Sequence, residues 1–407
     1  MAYKAPEEIN LGPWPAGMNN RQPDYALPPE TLRNAVNADL DRAGRARRRR
    51  GYEKVFAGVG ARGGYSCPAG VFFVQGAKLM RFNADNTATE IYSGVVGEYA
   101  AYEYFAGTVY FSDGIISKKI LSSGDVANWG RLPPPPPAVE AVPGSLPPGT
   151  YLVAITEVDS AGAEHGASET TQIQFNVASG IRVYGLPPGK IVRVYVSTTN
   201  GTTLFAAGQT TAASYDVTTT AYASGRPLTT QFMSGPPPGR IIREYNGRMY
   251  VADGPTVWYT EPYSPELVST AGGFLQFAAD VTVMEPGENG MWIVSDKTEF
   301  YAGSSPLEFR PRTVLDYGAI YGTSQVLPQT KDALWYSTRG VVMGAKTGQA
   351  TNLQEANVAT DSGTTGAALV REQDGARQMI VSVRDPSVSP LASTSFLEME
   401  VIRKAAQ

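Results

Sequence analysis

A short phrase recurs along this chain at a nearly fixed interval, and that interval limits the fold more than any other feature. The phrase is a glycine or small polar turn, an aromatic-rich strand and a second polar turn. It reads "NGRMYVADGPTVWY" around Gly247, "ENGMWIVSDKTEFY" around Gly290, "KDALWYSTRGVVM" at Ala333 and "QDGARQMIVSVRD" at Gly375. These anchors stand 43, 43 and 42 residues apart. Upstream, "VQGAKLMRFNAD" at Gly76 and "FAGTVYFSDGIIS" at Gly107 repeat it at a shorter spacing of 31. A unit of about 40–45 residues with several short strands matches one four-stranded propeller blade. Alternation around an aromatic centre suits an inner strand packed between two neighbouring sheets. The turn that follows carries Asp-Gly or a similar pair, a hairpin signal. Tyr250, Trp292 and Trp335 fall at equivalent places and read as packing residues. On the next strand, one residue of each pair Trp258/Tyr259 and Phe300/Tyr301 is expected to face outward, where it could serve an interface.

The repeat is interrupted. Gly107 and Gly247 lie 140 residues apart, far more than one unit, and two proline clusters sit inside the gap, "LPPPPP" from Leu132 and "GPPPG" from Gly235. Removing residues 138–234 leaves a gap of 43 residues, equal to the repeat. An inserted domain between stiff proline linkers is the simplest reading. Its segments "GTYLVAITEVDSAGAEHGASETTQIQF", "GIRVYGLP", "IVRVYVSTTNGTTLFAAGQT" and "ASYDVT" supply the strands of a β-sandwich of roughly a hundred residues. Helical periodicity is nearly absent elsewhere. "PPETLRNAVNADL", with Leu32, Val36 and Leu40 on one face, is the one helix candidate, and a strand reading competes with it. The expected fold is all-β: a β-propeller-like body of about six blades (53–132 and 239–407), an inserted sandwich (138–234) and an N-terminal arm with a hairpin (1–52).

The residues that most chemistry requires are scarce. One cysteine, Cys67, allows no intrachain disulfide and no cysteine-rich zinc site, and it reads as a small buried apolar residue. The one histidine, His165, lies in "AGAEHGASE" and reads as a surface-loop residue. No phosphate-binding loop, dinucleotide fingerprint or nucleophile elbow occurs. The acidic stretches "EPGENG" and "REQDG" read as solvated turns. No catalytic residue, metal or cofactor is therefore expected. No apolar run is long enough to span a bilayer, and the opening "MAYKAPEEINLGPWPAG" lacks the apolar core of a signal peptide. Synthesis in a reducing cytoplasm is the expectation.

Charge is concentrated in one place. The net formal charge is -4, yet six arginines fall within the nine residues Arg42–Arg50. A dedicated nucleic-acid binder is usually basic overall, so the run calls for a different account. Gly44 suits the third place of a three-residue loop, Arg42-Ala43-Gly44, which needs a left-handed backbone. In that register Asp41 faces Arg45, Asp39 faces Arg47 and Asn37 faces Arg49, a charge ladder on one face of a hairpin. Opposite charges directly across a ladder contribute roughly 0.2–1 kcal/mol each. Arg48 and Arg50 occupy the other face, opposite Ala38 and Val36. They are left to meet a carboxylate of a neighbouring subunit or a phosphate.

With those residues in view, the stretch from Ile9 to Tyr52 resembles the start of tail proteins of short-tailed bacteriophages, the nozzle or DNA-stabilisation class. The matching residues are Gly17, Asn19 and Asn20, then Asn37, Gly44, Arg49 and Gly51. The resemblance covers about 45 residues of pattern plus the propeller-like repeat. "RRRRG" replaces the proline-containing segment of many members, and the inserted sandwich is not a constant feature. "YLVAITEVDSAGAEHGASE" is similar to the middle strands of a fibronectin type III or immunoglobulin-like module. The resemblance implies a ring, typically of six copies, in a virion tail. Its partners would be itself, a tail adaptor or tube neighbour, tail fibres and the genomic DNA passing through. An acidic channel would let DNA slide, because adsorption to phosphates needs Lys or Arg. Two other classes compete: a glycan- or receptor-binding adhesin, which needs exposed aromatics clustered on one loop face, and a polysaccharide-degrading propeller, which needs two converging carboxylates.

Overall fold

The computed structural model describes residues 12–36, 38–41, 43–49, 53–56, 58–159, 162–360, 363–373 and 376–384. The described residues hold no α-helix; the helical elements are two 3-10 turns, Asp24–Ala26 and Thr220–Ser224. Among the described residues no helix is long and apolar enough to cross a membrane. The helix candidate over residues 28–40 is not formed, and its last residues make the strand Ala38–Leu40.

Four sheets are antiparallel four-stranded meanders, each built from consecutive segments, at residues 61–93, 101–128, 283–315 and 325–352. A fifth, at 233–276, has the same three central strands, Ile241–Tyr245, Arg248–Asp253 and Thr256–Glu261. Its fourth place is shared by Ser264–Ser269 and Phe274–Gln276, and Met233–Ser234 adds to the former. Of the anchors, Gly76, Gly107 and Gly247 are turn residues that fold these strands back, while Gly290 and Ala333 open strands. Between the paired Tyr245 and Arg248, Asn246 and Gly247 take φ values of 50° and 76°; between Phe105 and Thr108, Ala106 and Gly107 take 49° and 83°. Two successive left-handed residues are what a tight two-residue hairpin demands, and its twist matches that of the strands. Tyr250, Trp292 and Trp335 are all fully buried. Trp292 and Trp335, on adjacent sheets, meet in a tilted contact, 5.6 Å between ring centroids and 54° between planes. Of the outward-facing candidates, Trp258 and Tyr301 are half-buried against Phe274 and Phe309 respectively.

The last repeat differs from the expectation. Gly375 lies outside the described residues, and the phrase around it belongs to a two-stranded ribbon of Thr365–Gln373 and Ala376–Arg384. No turn residue interrupts either nine-residue strand, so the alternation runs on instead of folding back after five. Val370 and Met379 pack on Leu327, Leu334 and Val341, a small core on one face of the 325–352 sheet.

The chain divides into two compact units. One comprises Met1–Ser66, Gly70–Gly94 and Phe277–Gln407; the other comprises Cys67–Ala69 and Val95–Gln276. Within the second unit, residues 138–217 form two sheets around one core. Ala138–Leu146, Ser179–Tyr184 and Ser214–Val217 make a three-stranded sheet. Gly149–Val158 is the centre of the other, flanked by Glu164–Ala167, Thr171–Phe175, Ile191–Ser197 and Leu204–Thr210. Alternate residues of the facing strands fill the core: Tyr151, Val153 and Ile155 with Val192, Val194 and Val196 from one sheet, Ile181, Val183 and Val217 from the other. Each such burial contributes about 1.5–3 kcal/mol as an upper estimate.

Three readings of single residues are corrected. His165 is not on a surface loop; it lies in the strand Glu164–Ala167 and is 3% exposed. Glu285 is not in a solvated turn; it is buried in Val283–Pro286 and accepts a hydrogen bond from the Ser324 hydroxyl. Cys67 is half-buried, because its strand is the edge of its sheet. For His165 and Glu285 a strand decided the burial, and flanking Gly, Glu or Asn masked that strand in the sequence.

Candidate functional site

The arginine run folds as a hairpin of Ala38–Leu40 and Ala46–Arg48. Its register sets Ala38 against Arg48, Asp39 against Arg47 and Leu40 against Ala46. Asp41 closes the loop: its amide donates to the Arg45 carbonyl at 3.0 Å, and its carboxylate accepts the amides of Ala43 and Arg45, both at 2.9 Å. These bonds, the Arg45 amide first, hold the Asp41 carboxyl below its ordinary range. Gly44 has φ of 74°, and a Cβ there would lie 2.3 Å from the Pro15 nitrogen, because Trp14 donates its amide to the Gly44 carbonyl. Backbone sign and space therefore both demand glycine. Gly44→Val should open the hairpin, and trypsin should then cut after Arg45, Arg47 and Arg48 at least about tenfold faster, as cleavage follows local opening.

Among the described residues the pair of Asp41 with Arg45 follows the ladder as expected, and the other ion pairs run off it. Asp39 takes Arg49 at 3.3 Å and Arg371 at 2.8 Å, while Arg47, opposite Asp39, reaches Asp41 at 3.7 Å. Arg45 meets Asp41 at 3.5 Å. A two-stranded ribbon twists strongly and arginine is long, so diagonal partners come within reach. Asn37, Arg42 and Arg50 lie outside the described residues. Arg48 is exposed, and its side chain makes no hydrogen bond or ion pair among the described residues. The exposed pairs contribute at most about 1 kcal/mol each. The pair with Arg371 is the most enclosed of them, with both side chains about four-fifths buried.

Two anchors fix this segment in its unit. Arg371, on the strand Thr365–Gln373, is one. The other is Asn20, whose side chain donates to the Ala359 carbonyl at 3.2 Å and accepts the Ala359 amide at 2.6 Å. The Asn19 side chain instead caps its own turn, accepting the amides of Arg21 and Gln22. Sequence reading missed Arg371 and the role of Asn20, since each partner stands more than 330 residues away.

The ribbon bearing Arg371 has an open edge. Gln373 pairs with Ala376 across two residues, so the amides and carbonyls of Met379, Val381 and Val383 point away from the partner strand. None has a backbone partner among the described residues. "QMIVSV" has no charge, proline or glycine, and an edge of that composition invites another strand. Among the described residues no group of three or more metal-ligating side chains converges.

No family model matches the chain, and no curated protein matches it. Solved structures that it resembles include BBS1N in complex with ARL6DN, 10% identical, with a TM-score of 0.31 over 82% of this chain and 94% of that one. The Pan2 WD40 domain of Neurospora crassa is 12% identical, with a TM-score of 0.29 over 72% of this chain and 75% of that one. A 6-phosphogluconolactonase-like protein of Bacteroides fragilis is 10% identical, with a TM-score of 0.30 over 80% and 94%. Superpositions this loose give no residue correspondence; the all-β assignment rests on the strand pairing itself.

Proposed function

We propose that this chain is a structural protein of a bacteriophage tail, of the nozzle type, which assembles with copies of itself into a ring that DNA passes through. The observation that carries the reading is the join of the arginine hairpin and the ribbon. The hairpin carries an Arg48 with no partner among the described residues, and the ribbon it docks on has an apolar strand edge; both features suit contact with another copy rather than catalysis. In this reading the five sheets and the ribbon correspond to about six blades of a propeller-like body, and the two-sheet insert is an immunoglobulin-like module facing a fibre or tube neighbour. The N-terminal resemblance and the acidic net charge agree with it. Mass photometry of the purified protein tests it: a closed oligomer, six copies in the simplest case, is the expected species, and a stable monomer at micromolar concentration would overturn it. Arg48→Glu should weaken the assembly at least about tenfold, or 1.4 kcal/mol. Raising the salt should do the same in the native chain, since exposed charge contacts are screened.

A further inference from the structure

His165 is the sole histidine of the chain, and it occupies a seam within the second unit. Its strand, Glu164–Ala167, belongs to the insert and lies against both Met233–Ser234 and Ser264–Ser269 of the 233–276 sheet. The approach is close: a Cβ on Gly166 would fall 1.9 Å from the Met233 carbonyl oxygen. The amide of Ala167 crosses to the Thr230 carbonyl at 3.0 Å. Neither nitrogen of the His165 ring has a hydrogen-bond partner among the described residues, and the Thr230 hydroxyl is also buried without one.

The charged groups around the ring explain why it stays neutral. Burial first, then Arg131 on the proline linker and Lys119 on the neighbouring sheet, disfavour the imidazolium; Glu266 and Asp159 favour it. Glu266 is already committed, since one oxygen pairs with Lys119 at 2.6 Å and the other accepts the Gly130 amide at 2.7 Å. Glu164, the preceding residue, points to the opposite face as strand alternation requires, and pairs there with Arg193. A proton on the ring would thus be a buried charge with no acceptor, which is costly.

We propose that His165 is an acid-sensitive latch: neutral, it seats the insert on the 233–276 sheet, and protonated, it forces that seam open. The direction follows from linkage. The ring in the closed seam binds its proton less readily than an exposed imidazole, whose ordinary pKa is about 6.5. Closure is therefore fully favoured above that value and weakens as pH falls through the range below it, by up to about tenfold per pH unit.

The sole imidazole gives one unobstructed NMR signal. Its midpoint is expected below about 6.5, and exchange protection of the Ala167 and Met233 amides, corrected for intrinsic rates, should fall between pH 7.5 and about 5 with the same midpoint. In His165→Phe that protection should be independent of pH. An imidazole that titrates at or above its ordinary value while both amides stay protected overturns the proposal, and that result is read on the native chain even if the variant does not fold. Equal loss of protection in His165→Phe overturns it as well.

Discussion

Trp335→Ala should cost about 3–5 kcal/mol of stability, the range for truncating a fully buried indole. The loss should appear as a lower denaturant midpoint for the unit that holds the 283–315 and 325–352 sheets. Trp335 is fully buried against Trp292, Ala333 and Val342, so a cavity rather than a collapse follows. Its indole N–H has no hydrogen-bond partner among the described residues, whereas that of Trp292 donates to the Ala345 carbonyl at 3.0 Å. Trp335→Phe should therefore cost much less than Trp335→Ala, and less than Trp292→Phe, which also orphans a carbonyl. Equal costs for the two phenylalanine variants would contradict the difference in bonding. Tyr25→Ala, at a side chain 92% exposed, should stay within about 0.5 kcal/mol of the native chain.

Glu164→Ala should be comparably severe in the insert. The Glu164 side chain is 8% exposed and serves four partners: Arg193 at 2.9 Å, the hydroxyls of Thr156 and Tyr195 at 2.6 Å each, and Arg226. Burial, followed by the bond to Glu164, pushes the Tyr195 phenol above its ordinary value. Removing the carboxylate strands the mostly enclosed Arg193 cation, and breaking one side of a buried pair costs about 3–5 kcal/mol. Calorimetry should show the transition that includes the insert falling by more than about 10 °C. Replacing Arg226, which is half exposed, should cost far less, because water solvates what remains. If Glu164→Ala and Arg226→Ala shift that transition equally, the account of a buried hub is wrong.

Local features of the fold were readable in the sequence; distant ones were not. Turn glycines such as Gly247 and Gly107 announced their hairpins because backbone sign is a property of two or three residues. The register of Ala38–Leu40 against Ala46–Arg48 was readable for the same reason, since Gly44 and the loop length set which residues face each other. Of the side-chain pairs only that of Asp41 with Arg45 was readable, because twist and the reach of arginine decide the others. Arg371 escaped entirely: nothing in "ALVREQ" marks a partner for Asp39. His165 was misplaced because "AGAEHGASE" has the composition of a loop, and only the neighbouring strands reveal that four of its residues form one.

The two anchors of the N-terminal segment also set an order of events. Asn20 and Asp39 are made well before their partners Ala359 and Arg371, which follow 339 and 332 residues later. During synthesis the arginine hairpin can form its turn early, but it cannot dock on Arg371 until 332 further residues have followed Asp39 out of the ribosome. Domains that are contiguous in sequence, such as the insert, can fold as they emerge. A surface that needs residues 39 and 371 together is absent from any product truncated between them, and such products are excluded from an assembly built through it.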